Sequence, residues 1–294
     1  TEEAIADPLR GCASINRDLW LVGSKSTGIW YDSGATVPFD RRTFIQKGTS
    51  ATDSISTFDG MIAFLGDSEN GRLGVFAGGV QSAYTLTEIT TEDVAYAINR
   101  YPVVSDAYSF FYNEAGSTIL QMSFPTANAT WCYDFTEREW FQKTDANGNY
   151  HPAFCSTSYN GQILVGDRSS GAIYVMSWDY LDDNGQAIPR EIQHPQLYAD
   201  NKWQRISRVQ YDVSSGVGNA NTPLPTLNFF TSKDSGNTYD AGRTLNLGAN
   251  TAIGTRAFTT RLGAAKVFQF KVTTSARARI YLSSLSVEMT VGGL

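Results

Sequence analysis

The chain has 294 residues, of which 41% are hydrophobic, 18% charged and 13% aromatic. This length allows one large domain or two smaller ones, and the hydrophobic content excludes a disordered chain. No apolar run approaches the roughly 20 residues of a membrane-spanning helix, so we expect no membrane contact. The 15 tyrosines, 16 phenylalanines and 26 glycines favour strands and tight turns over helices.

Charge is unevenly distributed along the chain. Residues 1–200 contain 12 Lys and Arg against 25 Asp and Glu, whereas residues 201–294 contain 11 against 4. Two solvated surfaces of different sign are the plain interpretation, and complementary docking between copies or onto a partner is the alternative. The three cysteines include no CxxC pair, which predicts reduced thiols in a protein made in the cytosol.

Hairpin patterns recur in residues 1–190. Four times, an apolar run meets a polar turn that ends in glycine, and a second apolar run follows. The turn glycines, Gly28, Gly71, Gly116 and Gly171, recur at intervals of about 40–55 residues, which is typical of β-propeller blades. A β-sandwich with similarly spaced hairpins is the alternative. We therefore predict an all-β, β-propeller-like region over residues 1–195.

One helix is predicted as an insertion between blades. Thr90 and Asp93 resemble a capping box, and Pro102 ends the segment. The apolar positions at helical spacing are Val94, Ala97, Ile98 and Tyr101. We expect this helix to pack on an edge of the propeller.

A second domain is predicted after a stretch rich in loop residues between Asp182 and Asp200. The charge balance also changes there, which places a boundary near residues 195–203. Alternating strands separated by Gly, Asn and Pro turns then predict a small C-terminal β-sandwich domain over residues 203–294. These strands are expected at residues 206–213, 227–231, 258–262, 267–272 and 280–289.

No pattern of catalytic or metal-binding residues stands out. The two histidines, His151 and His194, lack metal-ligand spacing, and the chain has no GxSxG, P-loop or GxGxxG motif. Paired carboxylates such as Asp182-Asp183 lie in expected loops, where water solvates them. We therefore predict no catalytic residue, no metal site and no cofactor.

Residues 232–239, SKDSGNTY, resemble the Asp box of sialidases and other β proteins. The motif is Ser-x-Asp-x-Gly-x-Thr-aromatic, and its positions here are Ser232, Asp234, Gly236 and Thr238. Asp234 is expected to accept backbone N–H bonds and Gly236 to take a strained φ, which predicts a structural hairpin turn. A calcium ion bound at Asp234 is the alternative.

Five stretches, in order along nearly the whole chain, carry a family resemblance. They are LWLVGSKSTGIWYDSG at 19–34, SFPTANATWCYDFTEREW at 123–140, GQILVGDRSSGAIY at 161–174, SKDSGNTY at 232–239 and TTRLGAAKVFQFKVT at 259–273. Together they resemble the packaged-DNA stabilisation protein, or tail hub protein, of short-tailed bacteriophages. That family also has β sequence before the point that matches Thr1, so we expect a fragment of a longer protein or a shorter relative.

The resemblance implies a structural, non-enzymatic protein of the virion tail, made in the host bacterial cytoplasm. Family members are similar in forming a hexameric ring beneath the portal and adaptor proteins, where they hold the tail needle and carry the tailspikes. Packaged DNA is expected to pass through the ring without sequence-specific contact. The partners implied are therefore further copies of the chain, the portal and adaptor, the needle and the tailspike.

The charge distribution suggests how copies meet in such a ring. A ring of more than two copies uses head-to-tail contacts, and opposite charges would set their register. Arg277 and Arg279 lie on one face if residues 278–289 form a strand, so they are the candidate interface residues.

Two other functions stay open. A receptor- or glycan-binding tail module would use exposed tryptophans, although most lie inside apolar runs that are typical of a core. A sialidase-like glycosidase would need several Asp boxes and an arginine cluster. The chain has one such box and one adjacent pair, Arg41-Arg42.

Overall fold

The computed structural model of the protein describes residues 7–67, 71–252 and 254–292. The chain divides into two compact units, Thr1–Trp178 and Asp179–Leu294, and each has its own buried apolar core. Within the described ranges, the regular structure is antiparallel β-strand apart from one 3-10 helix and one α-helix. Neither of these two helices is long and apolar enough to cross a membrane.

In the described part of the first unit there are four sheets, which we name blades 1 to 4, and the strand order in each sheet follows the chain. Blade 1 consists of β1 (Leu9–Ile15), β2 (Asp18–Gly23), β3 (Thr27–Asp32) and β4 (Phe39–Ile45). Blade 2 consists of β5 (Ser56–Phe58), β6 (Met61–Asp67), β7 (Leu73–Gly79) and β8 (Leu86–Glu88). Blade 3 consists of β9 (Tyr108–Glu114), β10 (Ser117–Phe124), β11 (Ala129–Asp134) and β12 (Glu139–Gln142). Blade 4 consists of β13 (Ala153–Tyr159), β14 (Gln162–Asp167) and β15 (Ile173–Met176).

The blades pack face to face in chain order. The first strand of each blade contacts the first strand of the next, so β1 lies beside β5, β5 beside β9, and β9 beside β13. Serine hydroxyls link neighbouring blades: Ser109 Oγ of β9 donates at 2.7 Å to the carbonyl of Ser54, in the 3-10 helix Thr52–Ser54 just before β5. Ser156 Oγ of β13 donates to the Phe111 carbonyl of β9 at 2.6 Å. Successive antiparallel sheets with adjacent first strands are the β-propeller arrangement, which confirms the predicted fold class.

Burial on both faces explains the long apolar runs of the middle blades. On β6, Ile62 and Phe64 pack in the core shared with blade 1. The alternate residues Ala63 and Leu65 pack on the opposite face, in the core shared with blade 3. Because successive side chains of a strand point to opposite faces, a strand buried on both needs an uninterrupted apolar sequence.

The turn between the first and second strands has the same geometry in all four blades. Two consecutive residues have positive φ in each turn, and these pairs are Asn16-Arg17, Asp59-Gly60, Ala115-Gly116 and Asn160-Gly161. Positive φ at both central residues is the type I′ geometry, whose twist matches that of the flanking strands. This turn is therefore a structural feature that repeats in each of the four blades.

The predicted turn glycines belong to two different turns of the blade. Gly116 lies between a first and a second strand, whereas Gly71 and Gly171, with φ of 72° and 68°, lie between second and third strands. The prediction for Gly28 is wrong, because this residue is inside β3 and the turn before it ends at Ser26. The glycines therefore mark hairpins, but they do not distinguish the turn between the first and second strands of a blade from the turn between its second and third strands.

The inserted helix is α1 (Glu92–Ile98), between β8 and β9, with Val94 and Ile98 buried. The predicted capping residue is wrong: Thr91 is the N-cap, and its side chain makes no capping bond. The Thr90 hydroxyl instead accepts the Val75 N–H at 3.0 Å. This bond links the residue before the helix to β7, so the Thr90 hydroxyl does not cap the helix.

The second unit is built from ten strands within the described ranges. They are β16 (Asp182–Asp183), β17 (Gln186–Ala187), β18 (Arg190–Gln193), β19 (Leu197–Tyr198), β20 (Trp203–Val213), β21 (Thr226–Ser232), β22 (Arg243–Asn246), β23 (Ala257–Ala265), β24 (Val267–Thr274) and β25 (Leu282–Gly292). One sheet has the order β18-β24-β21-β22, and β19 also pairs with β24. A second sheet has the order β23-β20-β25, and these two sheets contribute to one core that includes Val209, Phe229 and Phe268. Strands β16 and β17 pair with each other in a separate two-stranded sheet. This unit is the predicted β-sandwich.

The division between the units differs from the predicted boundary near residues 195–203. Strands β18 and β19 both pair with β24, so residues 190–198 belong to the sandwich. The sequence indicated a linker here because Pro189 and Pro195 stand on either side of β18. Short strands between prolines resemble loops until their pairing partner is known.

Candidate functional site

The Asp-box turn follows β21 and brings together Ser232, Asp234, Gly236 and Thr238. Asp234 Oδ1 accepts hydrogen bonds from the Ser232 hydroxyl at 2.7 Å and from the Thr238 amide at 2.9 Å. Asp234 Oδ2 accepts the Thr238 hydroxyl at 2.5 Å, and the Gly236 amide donates to Ser232 Oγ at 2.8 Å. Gly236 has a φ of 89°, a left-handed conformation that glycine adopts without a steric cost.

These bonds satisfy both carboxylate oxygens of Asp234 within the turn itself. The Thr238 hydroxyl and amide, followed by the Ser232 hydroxyl, lower the pKa of Asp234 to about 2. Within the described part of the chain, no three His, Cys, Asp or Glu side chains are grouped so that they could hold a metal ion. The geometry suits a structural hairpin turn, and that role stays a prediction.

The two candidate interface arginines lie in the loop before β25. Arg277 Nη1 is 3.6 Å from Asp182 Oδ2, and the same guanidinium donates to the Gly185 carbonyl. Arg279 forms an ion pair with Asp179. The premise that both arginines stand on one strand face is wrong, because β25 begins at Leu282 and the cations turn towards the acidic segment 179–185. Their role between copies stays a prediction, and both already have partners within their own unit.

His151 belongs to a buried polar network of the propeller unit. Its Nδ1 lies 3.3 Å from Gln121 Nε2, and its amide donates to Thr130 Oγ1 at 3.0 Å. The hydroxyls of Thr130 and Ser123 share a further hydrogen bond of 2.9 Å. Burial, with a contribution from the Lys143 charge, lowers the pKa of His151 to about 3. The imidazole is therefore neutral at pH 7 and half-buried, which suits a structural role.

Three more aspartates head turns of the same kind in the propeller unit, and sequence analysis missed them. In each turn, one carboxylate oxygen accepts two backbone N–H groups from residues two to four positions further on. These aspartates are Asp134, Asp145 and Asp167. The hydroxyls of Ser170 and Ser169 lower the pKa of Asp167 to about 2. The sequence signal common to these three turns is an aspartate followed two residues later by Thr, Asn or Ser.

The tryptophans divide into packed and exposed groups. Trp20 is fully buried. Trp131 and Trp140 are half-buried, and their Nε1 atoms donate to the Tyr101 hydroxyl at 2.9 Å and to a backbone carbonyl at 2.8 Å. Trp178 is 60% exposed, so its ring can contact a ligand or partner, whereas the buried ring of Trp20 cannot.

The acidic excess belongs to the propeller unit. Residues 1–178 contain 11 Lys and Arg against 20 Asp and Glu, whereas residues 179–294 contain 12 against 9. The first unit is therefore strongly acidic and the second mildly basic.

The class of the protein follows from these features: an all-β chain with a propeller unit, whose polar side chains hold turns and buried networks. Residues 1–180 match the family model Phage_stabilise, described as bacteriophage P22 Gp10, β-propeller. The match covers more than half of the chain and the whole first unit. The chain belongs to this family and is a structural bacteriophage protein, which confirms the resemblance seen in the sequence.

Three solved structures show distant similarity to the chain. The Neurospora crassa Pan2 WD40 domain is 13% identical with a TM-score of 0.35, over 82% of this chain and 63% of that one. A Bacillus subtilis family 43 arabinoxylan arabinofuranohydrolase is 9% identical with a TM-score of 0.27, over 92% and 64%. The lectin SapL1 is 9% identical with a TM-score of 0.32, over 98% and 96%. The chain thus spans less than two thirds of the first two structures, and similarities at this level carry no functional argument. No curated protein matches the chain.

Proposed function

We propose that this chain is a subunit of the tail hub of a short-tailed phage, which closes the portal channel and retains packaged DNA. The observation that carries this proposal is the match of residues 1–180 to the P22 Gp10 family, which coincides with the propeller unit Thr1–Trp178. The resemblance continues into the second unit through SKDSGNTY and TTRLGAAKVFQFKVT. The partners in this proposal are further copies in a ring, the portal and adaptor, the tail needle and the tailspikes.

The net negative charge of the propeller unit is consistent with a channel surface that does not bind DNA. Its 20 acidic residues outnumber its 11 basic residues, and a protein that binds DNA does so mainly by neutralising phosphates with Lys and Arg. A negative surface repels phosphate, so DNA would pass without adhering to it. The role proposed is mechanical and needs no sequence-specific contact.

The test uses DNA-filled phage heads that carry portal and adaptor but no hub. The purified chain is added, and the fraction of DNA that nuclease digests is measured, with heat-unfolded chain as the control. We expect the native chain to lower this fraction and to appear beneath the portal in negative-stain images. Native chain that neither binds the heads nor protects their DNA would contradict the hub function.

The glycosidase alternative is disfavoured by the position of the arginine pair. Arg42 Nε lies 3.3 Å from Asp18 Oδ1, and its guanidinium stacks over the rings of Tyr31 and Tyr84. These contacts occupy the group that would bind a substrate carboxylate. We propose a non-enzymatic protein, and turnover of a fluorogenic sialoside by the purified chain would contradict this.

A receptor- or glycan-binding role has one observation in its favour, the exposed ring of Trp178. Tryptophan has a large apolar ring, and an exposed ring can stack on the apolar face of a sugar. A glycan array with the wild-type chain and Trp178→Ala tests this second candidate. Binding that the substitution abolishes would support it, and the absence of binding would leave the hub role alone.

A further inference from the structure

His151 links blade 3 to the start of blade 4. Its backbone N–H donates to Thr130 Oγ1 of β11 at 3.0 Å. Its ring Nδ1 lies 3.3 Å from Gln121 Nε2 of β10 and 3.3 Å from the backbone nitrogen of Ala153, the first residue of β13. Both of these neighbours are N–H donors, so Nδ1 accepts their hydrogen bonds and the proton of the neutral imidazole is on Nε2.

A proton added to this imidazole goes to the atom that accepts these bonds. The side-chain amide of Gln121 can rotate to present its oxygen instead, whereas the Ala153 N–H is always a donor. A protonated Nδ1 therefore faces an N–H group, and the hydrogen bond between His151 and β13 is lost. Protonation of His151 and this bond to blade 4 are mutually exclusive.

The charged groups around His151 do not compensate for an added proton. The Lys143 ammonium already lies at this junction, with its Nζ 2.9 Å from Met176 Sδ of β15, and it repels a second cation. Asp145 and Asp167 attract a cation, but their carboxylates accept backbone N–H groups of their own turns. Burial, with the Lys143 charge, outweighs the two aspartates and lowers the pKa of His151 to about 3.

The apolar cluster between blades 3 and 4 receives small side chains from blade 4. Blade 4 supplies the buried Ala153 and Val165, whereas the large buried rings of Phe110 and Tyr112 come from blade 3. Cys132 of blade 3 belongs to the same cluster and is fully buried. Burial raises the pKa of the Tyr112 hydroxyl and of the Cys132 thiol, so both are neutral at pH 7 and below. Separation of blade 4 from blade 3 would expose this thiol.

We propose that protonation of His151 releases blade 4 from blade 3 in mild acid, while the rest of the propeller unit stays folded. Such a release is a local unfolding event. In the released state the imidazole meets water and binds a proton with an ordinary pKa of about 6.5. Below that pH the released fraction rises by up to about tenfold per pH unit, which amounts to about 25-fold between pH 7 and pH 5. This switch lies inside the propeller unit and does not depend on the proposed role in the virion.

The first test measures how fast N-ethylmaleimide labels Cys132 between pH 7 and pH 5, in a chain that carries Cys12→Ser. Cys155 is exposed and serves as a reference thiol in the same molecule. Acid slows the intrinsic reaction of both thiols, so the quantity to compare is the ratio of their initial labelling rates, read by mass spectrometry. We expect the ratio of Cys132 to Cys155 labelling to rise about 25-fold from pH 7 to pH 5.

A variant without a titrating group tests whether His151 causes the rise. His151→Asn offers an amide oxygen near the position of Nδ1, so it can accept the Ala153 N–H but gains no charge in acid. Its labelling ratio should be the same at pH 7 and pH 5, whatever its absolute value. The matched control is His194→Asn, which replaces the second histidine of the chain, in the sandwich unit, and should keep the rise seen in the wild type.

Hydrogen exchange separates the release of one blade from unfolding of the whole unit. At pH 5, peptides from β13 and β14 should exchange faster in the wild type than in His151→Asn, and peptides from β6 and β7 of blade 2 should exchange equally in both. A labelling ratio that stays constant from pH 7 to pH 5, a rise that His151→Asn retains, or faster exchange of β6 and β7 together with β13 would each overturn the proposal. A rise that begins only below pH 5 would also overturn it, because carboxylates, which titrate near about pH 4, would then be the cause.

Discussion

The side-chain amide of Asn99 makes two hydrogen bonds with the backbone of Leu73, at the start of β7, of the kind that a neighbouring strand would make. Asn99 Oδ1 accepts the Leu73 N–H at 2.9 Å, and Nδ2 donates to the Leu73 carbonyl at 2.9 Å. The same Nδ2 donates to the Ala95 carbonyl of helix α1 at 2.6 Å. One amide therefore fixes the end of the inserted helix to the edge of blade 2.

Replacing this amide should loosen the helix from the blade. We expect Asn99→Ala to lower the free energy of unfolding of the propeller unit by about 0.5–1.5 kcal/mol, because Leu73 loses both bonds. Urea unfolding followed by tryptophan fluorescence measures the change. The control is Arg100→Ala, an exposed neighbour whose change should stay within about 0.5 kcal/mol. Equal effects of the two substitutions would show that the Asn99 bonds contribute nothing specific.

The Asp-box turn predicts a stability change confined to the sandwich unit. Asp234→Ala leaves the Thr238 amide and hydroxyl and the Ser232 hydroxyl without their acceptor, so the melting temperature of this unit should fall by a few degrees. Calorimetry measures it, with Lys233→Ala as the neighbouring control. An unchanged melting temperature would sink the structural interpretation of the motif.

The stabilisation by the Asp234 carboxylate should decrease as the pH falls. The pKa of Asp234 is lowered to about 2 from an ordinary value of 3.8, so the carboxylate stabilises the fold above pH 3.8. That contribution is lost as the pH falls towards 2. The difference in melting temperature between wild type and Asp234→Ala should therefore be full at pH 5 and shrink towards pH 2.

The sandwich strands were predictable because one face of each packs on the core and the other meets water. This alternation marks β20 (Trp203–Val213) and β24 (Val267–Thr274) without knowledge of their partners. β22 (Arg243–Asn246) was missed, since four residues with one buried side chain are too short for a periodic signal. Pairing between distant strands, as of β18 with β24, has no local signal at all.

Side-chain roles were predictable only where a motif fixes the local geometry. The bonds of Asp234 to Ser232 and Thr238 follow from their spacing, because all three lie within one turn. The partners of Arg277 and Arg279 lie more than 90 residues earlier in the chain and depend on how the loop before β25 folds back. Spacing within a sequence cannot report such contacts.

His151 makes the propeller unit sensitive to acid. Its pKa is lowered to about 3 in the folded protein from an ordinary value of 6.5, so between these values the unfolded chain binds a proton that the folded chain does not. Stability should fall as the pH falls from 6.5 towards 3, by at most about 1.4 kcal/mol per pH unit for this one proton. His151→Gln should flatten the slope, measured by urea unfolding at a series of pH values. The control is His194→Gln, which lies in the sandwich unit and should leave the propeller slope unchanged.

Limited proteolysis should locate the division between the two units. Trp178 and Tyr180 are 60% and 56% exposed and lie outside strands, whereas Tyr198 is 59% exposed but belongs to β19, which pairs with Phe268 and Val267 of β24. A protease needs an extended, unpaired backbone, so exposure alone does not decide the order of cleavage. We expect chymotrypsin to cut after Trp178 or Tyr180 before Tyr198, as followed by mass spectrometry over time. First cleavage at Tyr198, with residues 178–180 intact, would instead favour a boundary near residues 195–203.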